Sequence, residues 1–119
     1  KLFYKKNKIE IVENKNDLIA DYFNSDICIG ASGFSSWERC SLGLPSLVII
    51  TANNQKFISD KLNGAGAICL LGEYKTMNEE KIIKGFRLIN DYYLRNKISK
   101  NCEKLFYSNR LSSFLNNSF

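Results

Sequence analysis

The fold is decided by residues 26–50, whose sequence reads DICIGASGFSSWERCSLGLPSLVII. Its two ends, 26–30 (DICIG) and 46–50 (SLVII), are short apolar runs that predict strands. Residues 35–42 between them predict a helix, which the Gly-Leu-Pro at 43–45 closes. The second run is apolar along its length, as expected of a strand covered on both faces. A strand, a helix and a strand in this order favour parallel pairing through a crossover.

The same alternation extends outward from this unit in both directions. Further apolar runs predict strands at 9–12 and 67–71, and Gly64 is predicted to cap the helix before the last strand. We therefore predict an α/β fold, a Rossmann-like open parallel sheet of about four strands with flanking helices. Residues 1–119 are predicted to form a single domain in which 108–119 is a polar tail. The other helices are predicted at 16–23, 54–63, 78–90 and 92–107.

The composition disfavours several classes of chemistry. The chain has no histidine, so the commonest general base at neutral pH is absent. Its four cysteines include no C-x-x-C pair and have no histidine to complete a mixed zinc site, so we predict no metal and no cofactor. Reduced cysteines, with no signal peptide and no long apolar segment, favour a cytoplasmic protein without stable membrane insertion.

A domain with a formal net charge of +5 can attract an anionic partner, but a solvated basic surface is the favoured explanation. Aromatic and basic residues are not interleaved as they are in RNA-recognition sheets, so nucleic acid is not predicted as a partner.

A loop rich in glycine and serine, 30–36 (GASGFSS), joins the first strand of the central unit to its helix. Two glycines and three serines favour a tight turn with exposed N–H groups, and the positive end of the helix points at that turn. In open α/β sheets, ligands bind beyond the carboxyl ends of the strands, where this loop lies. The loop is predicted to bind an anion such as phosphate; the alternative is that its glycines serve geometry alone.

Three side chains of the following helix each have two interpretations. Glu38 fits a capping box with Ser35 at the N-cap, or it accepts hydrogen bonds from the two hydroxyls of a ribose. Trp37 could stack on a base, but packing beneath the helix is favoured. For Arg39, a solvated or structural role is favoured over contact with a phosphate.

The amides Asn53, Asn54 and Gln55 follow the buried strand and open the next helix. Amides donate and accept, so they suit sugar hydroxyls and acetamido groups. For the two asparagines, helix capping is the alternative.

Residues 30–66 resemble the C-terminal domain of the pseudaminic acid pathway hydrolases, which remove UDP from UDP-2,4-diacetamido-2,4,6-trideoxy-β-L-altropyranose. A more distant likeness is to the peptidoglycan N-acetylglucosaminyltransferase. Both families have the two-domain GT-B architecture, with UDP held mainly by the C-terminal domain. The matching residues are the glycine loop at 30–33, Trp-Glu-Arg-Cys at 37–40, Gly-Leu-Pro-Ser at 43–46, Asn-Gln at 54–55 and Ala-Gly-Ala at 65–67.

The resemblance implies that the ligand is a UDP-linked sugar. The site residues it implies are Ser32, Gly33, Ser35 and Ser36 for the diphosphate, Glu38 for the ribose, and Asn54 and Gln55 for the sugar or the β-phosphate.

Two departures from the family pattern shape the functional prediction. The family's catalytic histidine belongs to an N-terminal domain with no counterpart here, and the first strand and glycine-rich turn of the C-terminal domain have no match. The chain is therefore predicted to be the second half of a GT-B C-terminal domain, with no catalytic residue and no activity without an N-terminal domain. The alternatives are half of a glycosyltransferase or a non-catalytic binding module. An exposed sheet edge would leave room for pairing with another chain.

Overall fold

The computed structural model describes residues 2–5, 8–12 and 17–107. The predicted polar tail at 108–119 lies outside this part of the chain. Five strands form one sheet: β1 (Leu2–Lys5), β2 (Lys8–Ile11), β3 (Ile27–Ala31), β4 (Ser46–Ile50) and β5 (Cys69–Glu73).

The described part of the chain contains five α-helices, and the predicted helices correspond to them with small shifts at their ends. Residue 16, where the first of them was predicted to begin, lies outside the described residues. Short 3-10 turns at Asn53–Gln55 and Tyr74–Thr76 follow β4 and β5. The helices are α1 (Ile19–Phe23), α2 (Phe34–Ser41), α3 (Lys56–Gly64), α4 (Glu79–Ile89) and α5 (Tyr92–Tyr107).

Among the described residues the strand order is β2-β1-β3-β4-β5, and β3, β4 and β5 are the strands that pair in parallel. The α/β class is confirmed, but the prediction of about four parallel strands is wrong at its first member. The strand predicted at 9–12 is β2, which pairs antiparallel with β1, and β1 in turn pairs antiparallel with β3. Two residues separate β1 from β2, and so short a connection joins antiparallel strands, whereas a parallel pair needs a longer crossover.

The core lies around β4, whose Leu47 and Val48 are completely buried. Helix α2 packs against α5, and α4 packs against β4 and β5. Helix α4 meets the sheet at Gly85, which lies against Leu47 and Leu71. The larger cluster of buried core residues consists of Ile27, Cys40, Leu47, Val48, Leu62, Ala67, Ile68, Ile89, Ile98, Cys102 and Leu105.

The helices α2 and α3 end in the same way. After α2, the N–H of Gly43 donates to Cys40 and that of Leu44 donates to Arg39, with Gly43 at φ +68°. This pair of bonds is the Schellman motif, which needs a left-handed residue that glycine supplies. The closing role predicted for Gly43 is therefore confirmed.

After α3, the equivalent left-handed residue is Gly66, at φ +72°. Its N–H donates to Asn63, and that of Ala67 donates to Leu62. The prediction that Gly64 caps this helix is wrong, because Gly64 is still helical and the turn comes two residues later. Within the described residues, no helix is both long and apolar enough to cross a membrane.

Candidate functional site

The candidate site lies where β3 and β4 end at the carboxyl edge of the parallel strands. Only Ser32 and Gly33 separate β3 from α2, so the turn is tight. Gly33 is the N-cap of α2 and has φ +112° and ψ −156°, a region that glycine alone adopts readily. The chain therefore reverses at Gly33 and enters the helix at once.

This geometry overturns the capping box predicted for Ser35 and Glu38. The helix begins at Phe34, one residue before the predicted start, and no side chain caps it. Ser35 is consequently a residue of the first helical turn and not the N-cap. The side chain of Ser35 lies outside the described part of the structure.

The start of α2 presents backbone donors to the space above the loop. The first N–H groups of a helix have no acceptor within it, and they carry the positive end of its dipole. At α2 the N–H of Ser36 is already satisfied by the carbonyl of Gly33, at 3.0 Å. The N–H groups between Gly33 and Ser35 therefore form the part of this turn suited to an anion.

Ser32 and Ser36 are both buried, and their polar groups are used inside the protein. The Ser32 N–H donates to Ile49 at 3.1 Å, and its hydroxyl contacts the Gln55 carbonyl at 3.2 Å and the Ser59 hydroxyl. The Ser36 hydroxyl accepts from Arg39 at 3.1 Å. These contacts favour a supporting role for both serines, which hold the loop against β4 and α3.

Gln55 connects the β4 loop to the β3 loop. Its Oε1 accepts from the Thr51 N–H at 3.2 Å and from the Thr51 hydroxyl at 3.0 Å. With both donors on Oε1, the Nε2 group faces the other loop, and a Cβ atom placed on Gly33 would lie 3.5 Å from it. Donors from two loops therefore meet beside Gly33. The sequence analysis missed Thr51, although it stands four residues before Gln55 in the loop after β4.

Asn53 and Asn54 lie in the 3-10 turn after β4 and are exposed. Neither caps a helix, because the N-cap residues of the turn and of α3 are Ala52 and Gln55, and no side chain bonds to either cap. Asn54 is thus open to a ligand at the same edge as Gln55.

Glu38 and Trp37 lie side by side on α2 but face different surroundings. Glu38 is exposed, and its carboxylate has no hydrogen bond or ion pair with the residues that the structure describes. Trp37 packs edge-on against Phe106 of α5, with ring centroids 5.9 Å apart. The packing role predicted for Trp37 is confirmed, and Glu38 keeps a free acceptor at the surface.

Arg39 has a structural position, which is one of the two roles that the sequence analysis favoured. The residue is 0% exposed, so the solvated alternative is excluded. Its Nη2 donates to the Ala31 carbonyl at 2.9 Å and to the Ser36 hydroxyl at 3.1 Å, while Nε and Nη1 have no partner. The guanidinium therefore sits directly beneath the loop that begins at Ser32.

The third parallel strand brings Glu73 to the same edge. Its carboxylate lies 4.0 Å from Lys56 Nζ, and both side chains are largely exposed, so the pair contributes little to stability. Across the described ranges, no group of three or more cysteine or acidic side chains is arranged to hold a metal ion.

A cavity of about 320 Å³ lies at the opposite edge of the sheet. It is formed by the turns that precede β3 and β4 and by the first half of α5, and Tyr22, Tyr92 and Arg95 are among its walls. It contains none of the predicted site residues. The candidate site is instead an open surface formed by two loops.

Comparison of the chain with protein-family models, with curated proteins and with solved structures found no match.

Proposed function

We propose that this chain binds a UDP-linked sugar at the carboxyl edge of β3 and β4. The observation that carries the proposal is the convergence of two loops at Gly33. The helix start supplies N–H donors there, and Gln55, held by Thr51, adds an amide donor. Such a cluster of neutral donors at a helix N-terminus suits a phosphate group.

The neighbouring side chains suit the rest of such a ligand. Glu38 offers a free carboxylate one helical turn from the loop, and a carboxylate accepts from both hydroxyls of a ribose. Asn54 and Gln55 offer amides for a sugar or for the second phosphate. This set agrees with the resemblance to the UDP-sugar hydrolases and their GT-B architecture.

As a reaction, we propose hydrolysis in a nonulosonic acid or surface polysaccharide pathway, with water attacking the sugar and UDP leaving. This chain would bind the nucleotide and stabilise the charge of the leaving diphosphate. The residue that activates water would belong to a separate N-terminal domain. Transfer to an acceptor, as in a glycosyltransferase, would use the same UDP site.

The test is a calorimetric titration of the chain with UDP and with inorganic pyrophosphate. Glu38→Gln should weaken UDP by about tenfold to a hundredfold, because bonds to a charged group contribute ~1.5–3 kcal/mol. Pyrophosphate lacks a ribose, so its affinity should stay the same or rise slightly once the nearby negative charge is removed.

Glu103→Gln is the matched control, since Glu103 is also an exposed glutamate but lies on α5. It should leave both ligands unaffected. Equal losses of UDP and pyrophosphate in Glu38→Gln, or no loss of UDP, would exclude the ribose role. Absence of UDP binding by a folded chain would exclude the proposed function altogether.

A further inference from the structure

We propose that Arg39 is a positioning residue that makes the loop of Ser32 and Gly33 selective for phosphate-bearing ligands. Arg39 lies beneath this loop and acts through its hydrogen bonds to Ala31 and Ser36. The inference rests on the proposed function for the identity of the nucleotide, but not for the preference for an anion.

The first step is the position of the guanidinium. Its Nη2 bonds to Ala31, the last residue of β3, and to Ser36, in the first turn of α2. One side chain therefore ties together the two ends of the turn that contains Gly33. The distances of 2.9 and 3.1 Å are those of well-formed hydrogen bonds.

The second step is the charge. An arginine side chain stays protonated in proteins, and buried charges are normally paired. Arg39 forms no ion pair with any residue that the structure describes, and two of its nitrogens lack an acceptor. The Ala31 carbonyl and the Ser36 hydroxyl oxygen, which accept from Nη2, compensate only part of this charge. A phosphate on the loop would compensate more of it.

The third step is the reach of that charge. Nε and Nη1 are enclosed by protein, so Arg39 cannot touch a ligand through them. Its field acts through the buried interior of the protein, where charges interact more strongly than they do in water. Arg39 therefore raises the affinity of the loop in proportion to the negative charge of the ligand.

A purely structural arginine would behave differently, and this difference is the basis of the test. Loss of a loop support weakens every ligand of the site alike. Loss of the buried charge weakens a diphosphate most, a monophosphate less and a neutral nucleoside least. The ligands to compare are UDP, UMP, uridine and inorganic pyrophosphate.

The variants are Arg39→Met, which keeps the length but removes the charge, and Arg39→Lys, which keeps the charge. In Arg39→Met, the affinities for UDP and pyrophosphate should fall by at least about tenfold, whereas the affinity for uridine should stay within about twofold of the wild-type value. Arg39→Lys should retain the preference for UDP over uridine. Arg87→Met, at an exposed arginine of α4, is the control and should change none of the affinities.

Affinities for charged ligands are measured by calorimetry, uridine binding by ligand-observed NMR, and folding by thermal melting. Equal losses for UDP, UMP and uridine in Arg39→Met would overturn the inference and leave the proposed function standing. Should Arg39→Met fail to fold, Arg39→Gln, which is also neutral, takes its place, and equal losses for UDP, UMP and uridine in that variant would overturn the inference instead. Wild-type binding of pyrophosphate without UDP would refute the nucleotide site alone, and the charge effect would then be measured with pyrophosphate.

Discussion

Gly33 has a backbone conformation that only glycine adopts readily, and the entry of the chain into α2 depends on it. Its φ of +112° is unfavourable for any side chain, whereas the space around it would accept a methyl group. Gly33→Ala should therefore lower the free energy of unfolding by ~1–3 kcal/mol through backbone strain. Urea denaturation followed by circular dichroism measures this loss.

Gly64→Ala is the matched control, because Gly64 is helical and a Cβ atom there would meet nothing within 4 Å. Alanine is the better helix former, so this variant should be unchanged or up to ~1 kcal/mol more stable. If Gly33→Ala and Gly64→Ala changed the free energy of unfolding by similar amounts, a side chain at position 33 would not strain the turn.

The role of a residue could be predicted from the sequence where it depends on neighbouring residues in the chain. It could not be predicted where it depends on burial in the folded protein. The polarity of Gln55 at a strand end indicated a site residue, and its amide does reach the neighbouring loop. For Arg39 the sequence left a solvated and a structural role open, and its complete burial is unusual for an arginine. Nothing near it in the sequence shows that Ala31 and Ser36 would accept its hydrogen bonds, since that contact arises only when α2 folds back on β3.

At the scale of elements, α5 fastens the ends of two other helices. The Ser99 hydroxyl donates to the Gly43 carbonyl at 2.7 Å, and Asn101 Nδ2 donates to the Gly66 carbonyl at 3.1 Å. Ser99→Ala and Asn101→Ala should each lower the free energy of unfolding by ~0.5–1.5 kcal/mol, because each leaves a partly buried carbonyl without its donor. Urea denaturation at neutral pH gives both values.

Lys100→Ala is the control between these two positions, since Lys100 is exposed on the same helix. Its effect should stay within about 0.5 kcal/mol of wild type. Alanine is a good helix former, so neither substitution weakens α5 through helix propensity. A loss in Lys100→Ala as large as in Ser99→Ala would therefore refute the fastening role.

Helices and strands with a strong apolar pattern or clear signals at their ends could be predicted from the sequence. Strands that are defined by pairing with another strand could not. β4 was predicted with its observed bounds, because a buried strand is recognisable from its apolar run. β1 was not predicted, because a hairpin can be recognised from the sequence only when both of its strands are recognised. In α4 the buried residues are Gly85 and Ile89, whereas Ile83 is 44% exposed. A glycine that permits close packing leaves no hydrophobic signal.

At the scale of the whole molecule, the loops of the candidate site and the buried thiols lie at different ends of the sheet. The loops follow the carboxyl ends of β3 and β4. Cys40 of α2 and Cys102 of α5 meet at the carbonyl of Ala67, just before β5 begins, at 3.8 and 3.3 Å from it. Exposure of either thiol therefore requires α2 and α5 to separate, which dismantles the core on which the loops rest.

The cysteines should accordingly report opening of the whole fold. All four are free, and Cys28, Cys40 and Cys102 are buried, whereas Cys69 is half-buried. Under native conditions iodoacetamide should modify Cys69 first, and the three buried thiols at least about a hundredfold more slowly, through global unfolding. Burial raises the pKa of Cys69, so its rate should keep rising with pH beyond the point where an exposed thiol levels off.

The pKa of Cys40 is raised by its hydrogen bond with Cys102 and by burial. Alkaline pH alone should therefore not make this thiol reactive towards the reagent. Mass spectrometry of the modified peptides measures each rate, and Cys69→Ser is the control. That variant should lose the fast reaction and keep the slow ones, because position 69 lies on an edge strand and not between α2 and α5. Modification of Cys40 or Cys102 at the rate of Cys69 in the native chain would mean that the helices separate without unfolding. The loops above them could then not depend on a rigid core for their geometry.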